Sequence, residues 1–504
     1  MDTLGAILGG FAVSLTAERI FYCFVGAVLG TIVGVLPGLG PSATIALLLP
    51  ATYRLDTVSA LIMMAGIYYG SQYGGSTTSI LVRIPGESSS MVTCFDGYEM
   101  TKRGRAGPAL GMAAIASFVA GTLSVLGLML VAPPLGRFAL AFGPAEYFSL
   151  MLLGLTLVAY LGGDSLLKAL LMAGVGLPLS TIGQDPVAGV ERYTFGTLAL
   201  QDGIGLVPVF MGLFGIAEVL STMEQPPGQQ RIAAPTGLLP TRRDFRDCAG
   251  PVARGTVVGF LLGILPGGGA TIASIASYVV EKRFARTRER LGEGAIEGVA
   301  GPEASNNAAA TGSFIPLLTL GIPANVVMAM MLAAFTLHGI RPGPLLMQER
   351  PDLFWGVVTS MYLGNVMLLI LNLPMVGLFV QILRIPYPVL APLILLFCVV
   401  GSYSAAGQVA DVAVMIGFGL LGYLMRKFKF EAAPLVLALI LGKPMEESLR
   451  QALGISQGSF AIFVTHSISL ALLLATACSL AAPALAWAWR RWHRAADARG
   501  PKAG

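Results

Sequence analysis

The sequence predicts an all-α polytopic membrane protein with about 10–13 membrane segments, counted at about 20 residues per span. It also predicts two inverted structural repeats that contain re-entrant or broken Pro-Gly helices. Three observations carry this: the composition, the continuity of the apolar runs, and a glycine pattern that occurs twice. Of 504 residues, 55% are hydrophobic and 12% charged, and the mean hydropathy is +0.76. Soluble domains carry about 25% charged residues, so this chain cannot cover itself with polar surface. Runs such as "GTLSVLGLMLVAPPLG" and "SISLALLLATACSLAAPALAWAW" are continuous. Strands of a membrane barrel would alternate over about ten residues instead.

The N-terminus shows no cleavable signal peptide. Asp2 stands where a basic region is needed, so the first helices are expected to direct insertion. The first unusual element is "GVLPGLGPSAT", Gly34 to Thr44, which interrupts an apolar run. Glycine recurs every fourth residue ahead of it, at Gly26, Gly30, Gly34 and Gly38. The second half repeats this at Gly255, Gly259, Gly263 and Gly267, at one constant offset. The match extends to Leu36-Pro37 with Leu265-Pro266, and to Gly40 with Gly269. Four-residue spacing lines one helix face and admits a close neighbour, which assigns Gly26, Gly30, Gly34, Gly255, Gly259 and Gly263 to helix packing.

Each break is followed by small polar residues ahead of an Ile-Pro dipeptide. The first copy has Ser76, Thr77, Thr78 and Ser79 before Pro85; the second has Ser305, Asn306 and Asn307 before Pro323. Pro37, Pro85, Pro266 and Pro323 are thus read as structural breaks. The polar stretch "TMEQPPGQQRIAAPTGLLPTRRDFRDCAG" divides the chain. The expected domains are a first membrane repeat over 1–225, a linker over 226–250, a second repeat over 251–485 and a basic cytoplasmic tail over 486–504. Trp487, Trp489 and Trp492 mark an interfacial anchor beside that tail.

Basic residues flank the second break on both sides: Arg242, Arg243, Arg246 and Arg254 before it, and Lys282, Arg283, Arg286, Arg288 and Arg290 after it. The first break has only Arg19 and Arg54, each near an acid. By the Lys/Arg bias of cytoplasmic loops, the second break enters from the cytoplasm as a re-entrant hairpin and the first from outside. A broken helix that crosses completely is the alternative.

Irregular backbone at membrane depth survives only where protein or water satisfies its amides. After such a break a helix N-terminus presents free N–H groups and partial positive charge, which suits an anion. Ser42 is read as the cap of the new helix after Pro41. The candidate substrate-binding residues are Gly38, Gly40, Ser42, Ser76, Thr77, Thr78, Gly267, Gly268, Gly269, Thr271, Asn306 and Asn307. Exposed carbonyls near Ser76 and Asn306 are a possible Na⁺ site, and no other metal is expected. The same polar clusters would equally serve as glue between helices. Asp164, Lys168, Asp185, Asp202, Glu218 and Asp411 are ionisable residues in apolar context, and Glu303 is a candidate proton or cation partner.

The five cysteines and three histidines are scattered, with no metal-ligand or redox spacing. No Lys-Ser or Lys-Thr follows "LPGGGAT", and hydrolase and zinc-protease motifs are missing. The expectation is a protein that is not an enzyme, needs no cofactor and does not bind nucleic acid; its net charge of +5 is gathered at the ends of apolar segments.

The stretches "GVLPGLGPSATIALLLP", "YYGSQYGGSTTSILVRIPGESSSMVTCFDGYEMTKRGRAGPAL", "LPGGGATIASIASYVVEKR" and "PEASNNAAATGSFIPLLTLGIP" resemble the large membrane permease subunit of tripartite tricarboxylate transporters, the TctA family. The resemblance runs from about residue 15 to 485. It implies a multi-pass protein of the bacterial inner (cytoplasmic) membrane, with ion-gradient-driven uptake by Na⁺ or H⁺ symport. It implies a periplasmic solute-binding protein, a small membrane subunit, and carboxylate substrates with citrate as the founding example. A carboxylate channel and an assembly or scaffold subunit are the alternative functions.

Overall fold

The computed structural model describes residues 3–36, 40–161, 165–185, 188–224, 237–383, 385 and 387–481. Pro37, Gly38, Asp164, residues 226–236 of the linker, the three tail tryptophans and the basic tail lie outside the described residues. Among the described residues the fold is helical throughout, apart from one short antiparallel pairing of Gly183–Gln184 with Glu191–Arg192.

Among the described residues, seven helices are long and apolar enough to cross a membrane: Ala17–Val35, Ala106–Ala139, Leu206–Met223, Arg242–Ile264, Pro351–Asn372, Pro388–Ala406 and Val409–Lys427. Further apolar helices of 10–17 residues include Pro41–Thr52 and Val326–Leu337. The count is lower than the count of expected segments: Pro41–Thr52 and its like are short, and Thr57–Val82 and Ala432–Ile455 are long but not among the seven. Helix Ala17–Val35 stops before the first Pro-Gly stretch and Pro41–Thr52 follows it; Arg242–Ile264 stops before the second and Gly269–Phe284 follows it. The C-caps match, with Leu36 at φ −82°, ψ 110° and Leu265 at φ −79°, ψ 129°.

The glycine ladders pack as their spacing requires. A Cβ added to Gly26, Gly30 or Gly34 would lie 2.2, 2.4 or 2.4 Å from the carbonyl oxygens of Met63, Ile67 and Ser71 in helix Thr57–Val82. A Cβ added to Gly255, Gly259 or Gly263 would lie 2.3, 2.1 or 2.4 Å from those of Gly301, Ser305 and Ala309 in helix Glu297–Gly312. Each ladder therefore meets its partner one carbonyl per turn, at a distance that permits dispersion contact and Cα–H···O contacts along the whole crossing. Helix Thr57–Val82 answers with its own ladder: a Cβ on Gly70 or Gly74 would strike the carbonyl of Ala27 or Thr31 at 2.7 or 2.3 Å. The sequence carries this second ladder as Gly66, Gly70 and Gly74 at the same spacing.

The two copies differ after the break. Gly269–Phe284 lies back along Arg242–Ile264, whereas Pro41–Thr52 leaves its predecessor and packs on Tyr387–Ala406 and on Met211–Ile216. The latter is a turn of π-helix within Leu206–Met223. Helix Arg242–Ile264 also begins inside the segment expected to be linker. Thr241 caps it in a reciprocal box with Asp244, and Arg105 from the first half donates to both Asp244 oxygens at 2.8 Å.

Candidate functional site

The chain after each Ile-Pro dipeptide turns back toward the break of its own half, and Ser88 also reaches the second break. Helix Thr57–Val82 ends at Arg83 in the left-handed region (φ 58°), and Pro85-Gly86 follows. Helix Phe314–Leu320 ends at Gly321, also left-handed (φ 71°), and Pro323-Ala324 follows. Gly86 rests where a Cβ would meet the Gly34 carbonyl at 2.1 Å, so only glycine fits. Gly267, left-handed at φ 80°, donates its N–H to the Ala324 carbonyl at 2.8 Å. The Ser88 and Thr271 hydroxyls lie 2.8 Å apart.

These turns enclose a cavity of about 600 Å³. Its wall includes Gly40, Pro41 and Ser42 of the first break and Gly267, Gly268, Gly269 and Thr271 of the second. Four helices start at this wall: Pro41–Thr52, Gly269–Phe284, Val326–Leu337 and Ala432–Ile455. The first N–H groups of each have no partner four residues back, and their dipoles add positive potential at the cavity. Ser42 is not a cap. Gly40 is the N-cap, Pro41 is the first helical residue and Ser42 the second, because proline without an N–H is best placed at that first position.

Polar side chains complete the wall. Gln72 accepts from Ser89 at 2.7 Å through Oε1. Asn325 caps Val326–Leu337 through Met328 N–H at 3.0 Å and donates to the Tyr68 hydroxyl at 3.3 Å. Three carboxyl groups line the cavity: Glu87, Glu218 and Glu431. Glu218 is ion-paired with Arg426. Glu87 caps the short turn Ser88–Ser90 and accepts from Ser89. Tyr68, Gln72, Glu87, Ser88, Ser89 and Asn325 were missed in the sequence. The signal is present in the sequence, since both Glu87 and Asn325 follow Ile-Pro by two residues, after the polar clusters rather than within them.

The polar clusters named from the sequence lie elsewhere. Ser76, Thr77, Thr78, Asn306 and Asn307 are buried inside helices and do not line this cavity. Ser76 donates to Glu303 at 2.5 Å, Thr78 to the Val35 carbonyl at 2.7 Å, and Asn307 to Ser117 at 2.7 Å. In this conformation Ser76 and Asn307 tie the two halves together, while Thr78 bonds within the first half. Of the ionisable candidates, Asp185 pairs with Arg192 and Arg450, and Lys168 donates to the Phe428 carbonyl. Asp202 faces a second cavity of about 550 Å³. Leu320–Ile322 line that cavity and Ala324–Val327 the first, so the chain around Pro323 is the partition between them.

A helical chain with several helices apolar enough to cross a membrane, whose broken helices start at one cavity, is a multi-pass membrane protein with a built internal site. The chain belongs to the tripartite tricarboxylate transporter TctA family, whose model matches residues 20–437. It is 51% identical over 474 residues, 94% of each chain, to an uncharacterized 52.8 kDa protein in the TAR-I ttuC' 3' region of Agrobacterium vitis. An uncharacterized protein in the TAR-II ttuC' 3' region of the same organism is 53% identical over 215 residues, 43% of this chain and 89% of its own. No solved structure matches. The protein is thus a multi-pass subunit of a transporter system that has other components.

Proposed function

We propose that this chain is the large permease subunit of an ion-gradient-driven, binding-protein-dependent uptake system for tricarboxylates or related carboxylates. The observation that carries this reading is the convergence of four helix N-termini on one cavity of about 600 Å³. Such ends bind carboxylates through backbone N–H groups without a buried arginine, and no Lys or Arg is among the lining residues. The Ser42, Ser88 and Thr271 hydroxyls and the Asn325 amide add donors. The two matching ladder crossings support a repeat, and an inverted arrangement of its halves would put the substrate near the membrane midplane. The partners are a small membrane subunit and a periplasmic solute-binding protein, in the bacterial inner membrane with the C-terminus in the cytoplasm. The coupling ion is Na⁺ or H⁺.

The test is uptake of radiolabelled citrate in cells that express this chain with its two partners, with and without Na⁺ at fixed pH. Concentrative uptake that is lost in Gly267→Leu supports the site. Uptake unchanged in that variant removes the cavity from the mechanism. Downhill flux without accumulation would identify a channel.

A further inference from the structure

Glu303 is fully buried in helix Glu297–Gly312, and its carboxyl faces donors from both halves of the chain. Ser76 Oγ is 2.5 Å from Oε2, Thr93 Oγ1 is 2.5 Å from Oε1, and Asn306 Nδ2 is 3.3 Å from Oε2. No Lys, Arg or His is paired with it among the described residues. A buried carboxylate without a cation is costly, and an ionisable group enclosed in a membrane bundle is functional by default.

The groups around it are accounted for element by element. Tyr73 of Thr57–Val82, Glu87 of the Ser88–Ser90 turn and Cys94 of Thr93–Lys102 lie close enough to interact electrostatically. Helices Arg242–Ile264 and Gly269–Phe284 contribute Arg254 and Glu281, which are closed on each other at 2.6 Å. Asp96 on Thr93–Lys102 is held by Tyr278 and by the N–H groups of Gly292, Gly294 and Ala295. Helix Ala106–Ala139 presents Ser117, which is not ionisable.

The Ser76 hydroxyl distinguishes a proton from other ions. It has one hydrogen but two acceptors in range, Glu303 Oε2 at 2.5 Å and the Gln72 carbonyl at 3.0 Å. With Glu303 ionised, that hydrogen goes to the carboxylate. With Glu303 protonated, the carboxylic acid donates to Ser76 Oγ and Ser76 donates to the Gln72 carbonyl. Both states satisfy the same atoms in the same places. A Na⁺ ion would need convergent acceptor oxygens, whereas the Asn306 amide nitrogen is the atom turned toward Glu303. Gln72 is also a wall residue of the substrate cavity and holds Ser89 there. The proton switch and the cavity thus share one residue.

We propose that Glu303 is the coupling-proton site of this transporter, with Ser76 as its positioning residue and Gln72 as its link to the substrate cavity. This rests on the transport reading above. A proton from the outer aqueous side binds Glu303 Oε2, rides with the carboxylate substrate, and leaves to the inner side as the Ser76 hydrogen returns to Glu303.

The experiment uses proteoliposomes that hold the complete transporter, with citrate as the probe. Two fluxes are compared: exchange of labelled for unlabelled citrate at equal pH, and accumulation driven by an imposed pH step. One proton per substrate lets a one-unit step hold about a tenfold gradient. The wild type should approach this gradient. Glu303→Gln should exchange but not accumulate, and its exchange should lose its pH dependence. Ser76→Ala should lower pH-driven accumulation and shift the pH profile of exchange, and Ser76→Thr, which keeps the hydroxyl, should restore both. The proposal is overturned if Glu303→Gln accumulates normally, if the wild type responds to Na⁺ alone, or if Glu87→Gln abolishes pH-driven accumulation while Glu303→Gln does not. Infrared difference spectra on a pH step give a readout that needs no substrate. A protonated-carboxyl band present in the wild type and missing in Glu303→Gln supports the site, and its absence from the wild type overturns it. If the wild type shows this band but exchanges no carboxylate, the transport reading fails and the proton site stands.

Discussion

The Ser88 hydroxyl lies 2.8 Å from the Thr271 hydroxyl, so a turn of the first half touches the first turn of a helix in the second half. Both residues line the cavity formed by the two breaks. Side chains in contact can be tested for closure by a disulfide, which needs β-carbons about 4 Å apart. In a background without the five native cysteines, Ser88→Cys with Thr271→Cys should lose maleimide labelling on mild oxidation. Citrate uptake should stop with it and return on reduction. Labelling that persists after oxidation would show that these turns are apart in the membrane.

The ladder glycines should tolerate nothing larger. An added Cβ at Gly30 or Gly259 meets backbone oxygen at 2.4 or 2.1 Å, and backbone cannot rotate away. Overpacking of this kind costs about 1–3 kcal/mol. Gly30→Ala and Gly259→Ala should each lower the melting temperature of the purified protein in detergent. Gly9→Ala, with nothing within 4 Å, is the control and should leave it unchanged.

Gly267 and Gly40 line the same cavity but differ in what they require. Gly267 is left-handed at φ 80° and a Cβ there would sit 2.7 Å from the Leu157 carbonyl. Alanine in that conformation costs about 1–2 kcal/mol from backbone strain alone, and relief of the strain would pull its N–H from Ala324. Gly40 has φ −79° and its nearest neighbour at 3.8 Å. Gly267→Ala should abolish citrate uptake while Gly40→Ala retains it, at equal membrane levels measured by immunoblot.

Arg254 holds Glu281 through two hydrogen bonds of 2.9 and 2.6 Å, and the Glu281 side chain is 0% exposed. Removal of one member leaves a buried charge alone, at about 3 kcal/mol, the low end of the usual range because Arg254 reaches water. Arg254→Gln should destabilise the protein to thermal unfolding. Arg254→Met with Glu281→Leu should recover most of the loss, since the pair is then apolar. A double variant as unstable as the single one would show that the charges are needed for more than each other.

The sequence alone determined the composition-driven consequences. An apolar chain with few charges must bury its backbone polarity in helices within a bilayer. Glycine every fourth residue must bring one helix face against a neighbour, and Gly26, Gly30 and Gly34 do so against Met63, Ile67 and Ser71. These are local or periodic rules, and they read directly from residue order. The Pro-Gly stretches also marked where helices stop, because proline and glycine act on their own backbone.

Only the tertiary structure decided which residues share a site. Ser76 and Asn306 had the chemistry for a ligand, yet each sits in mid-helix facing Glu303, while Glu87 and Asn325 two residues past the Ile-Pro dipeptides reach the cavity. The orientation of a helix about its own axis, and the return of a loop to a distant break, depend on packing against partners far away in sequence. Nothing in the order of residues around Thr271 names Ser88 as its neighbour; the meeting of two folded halves does.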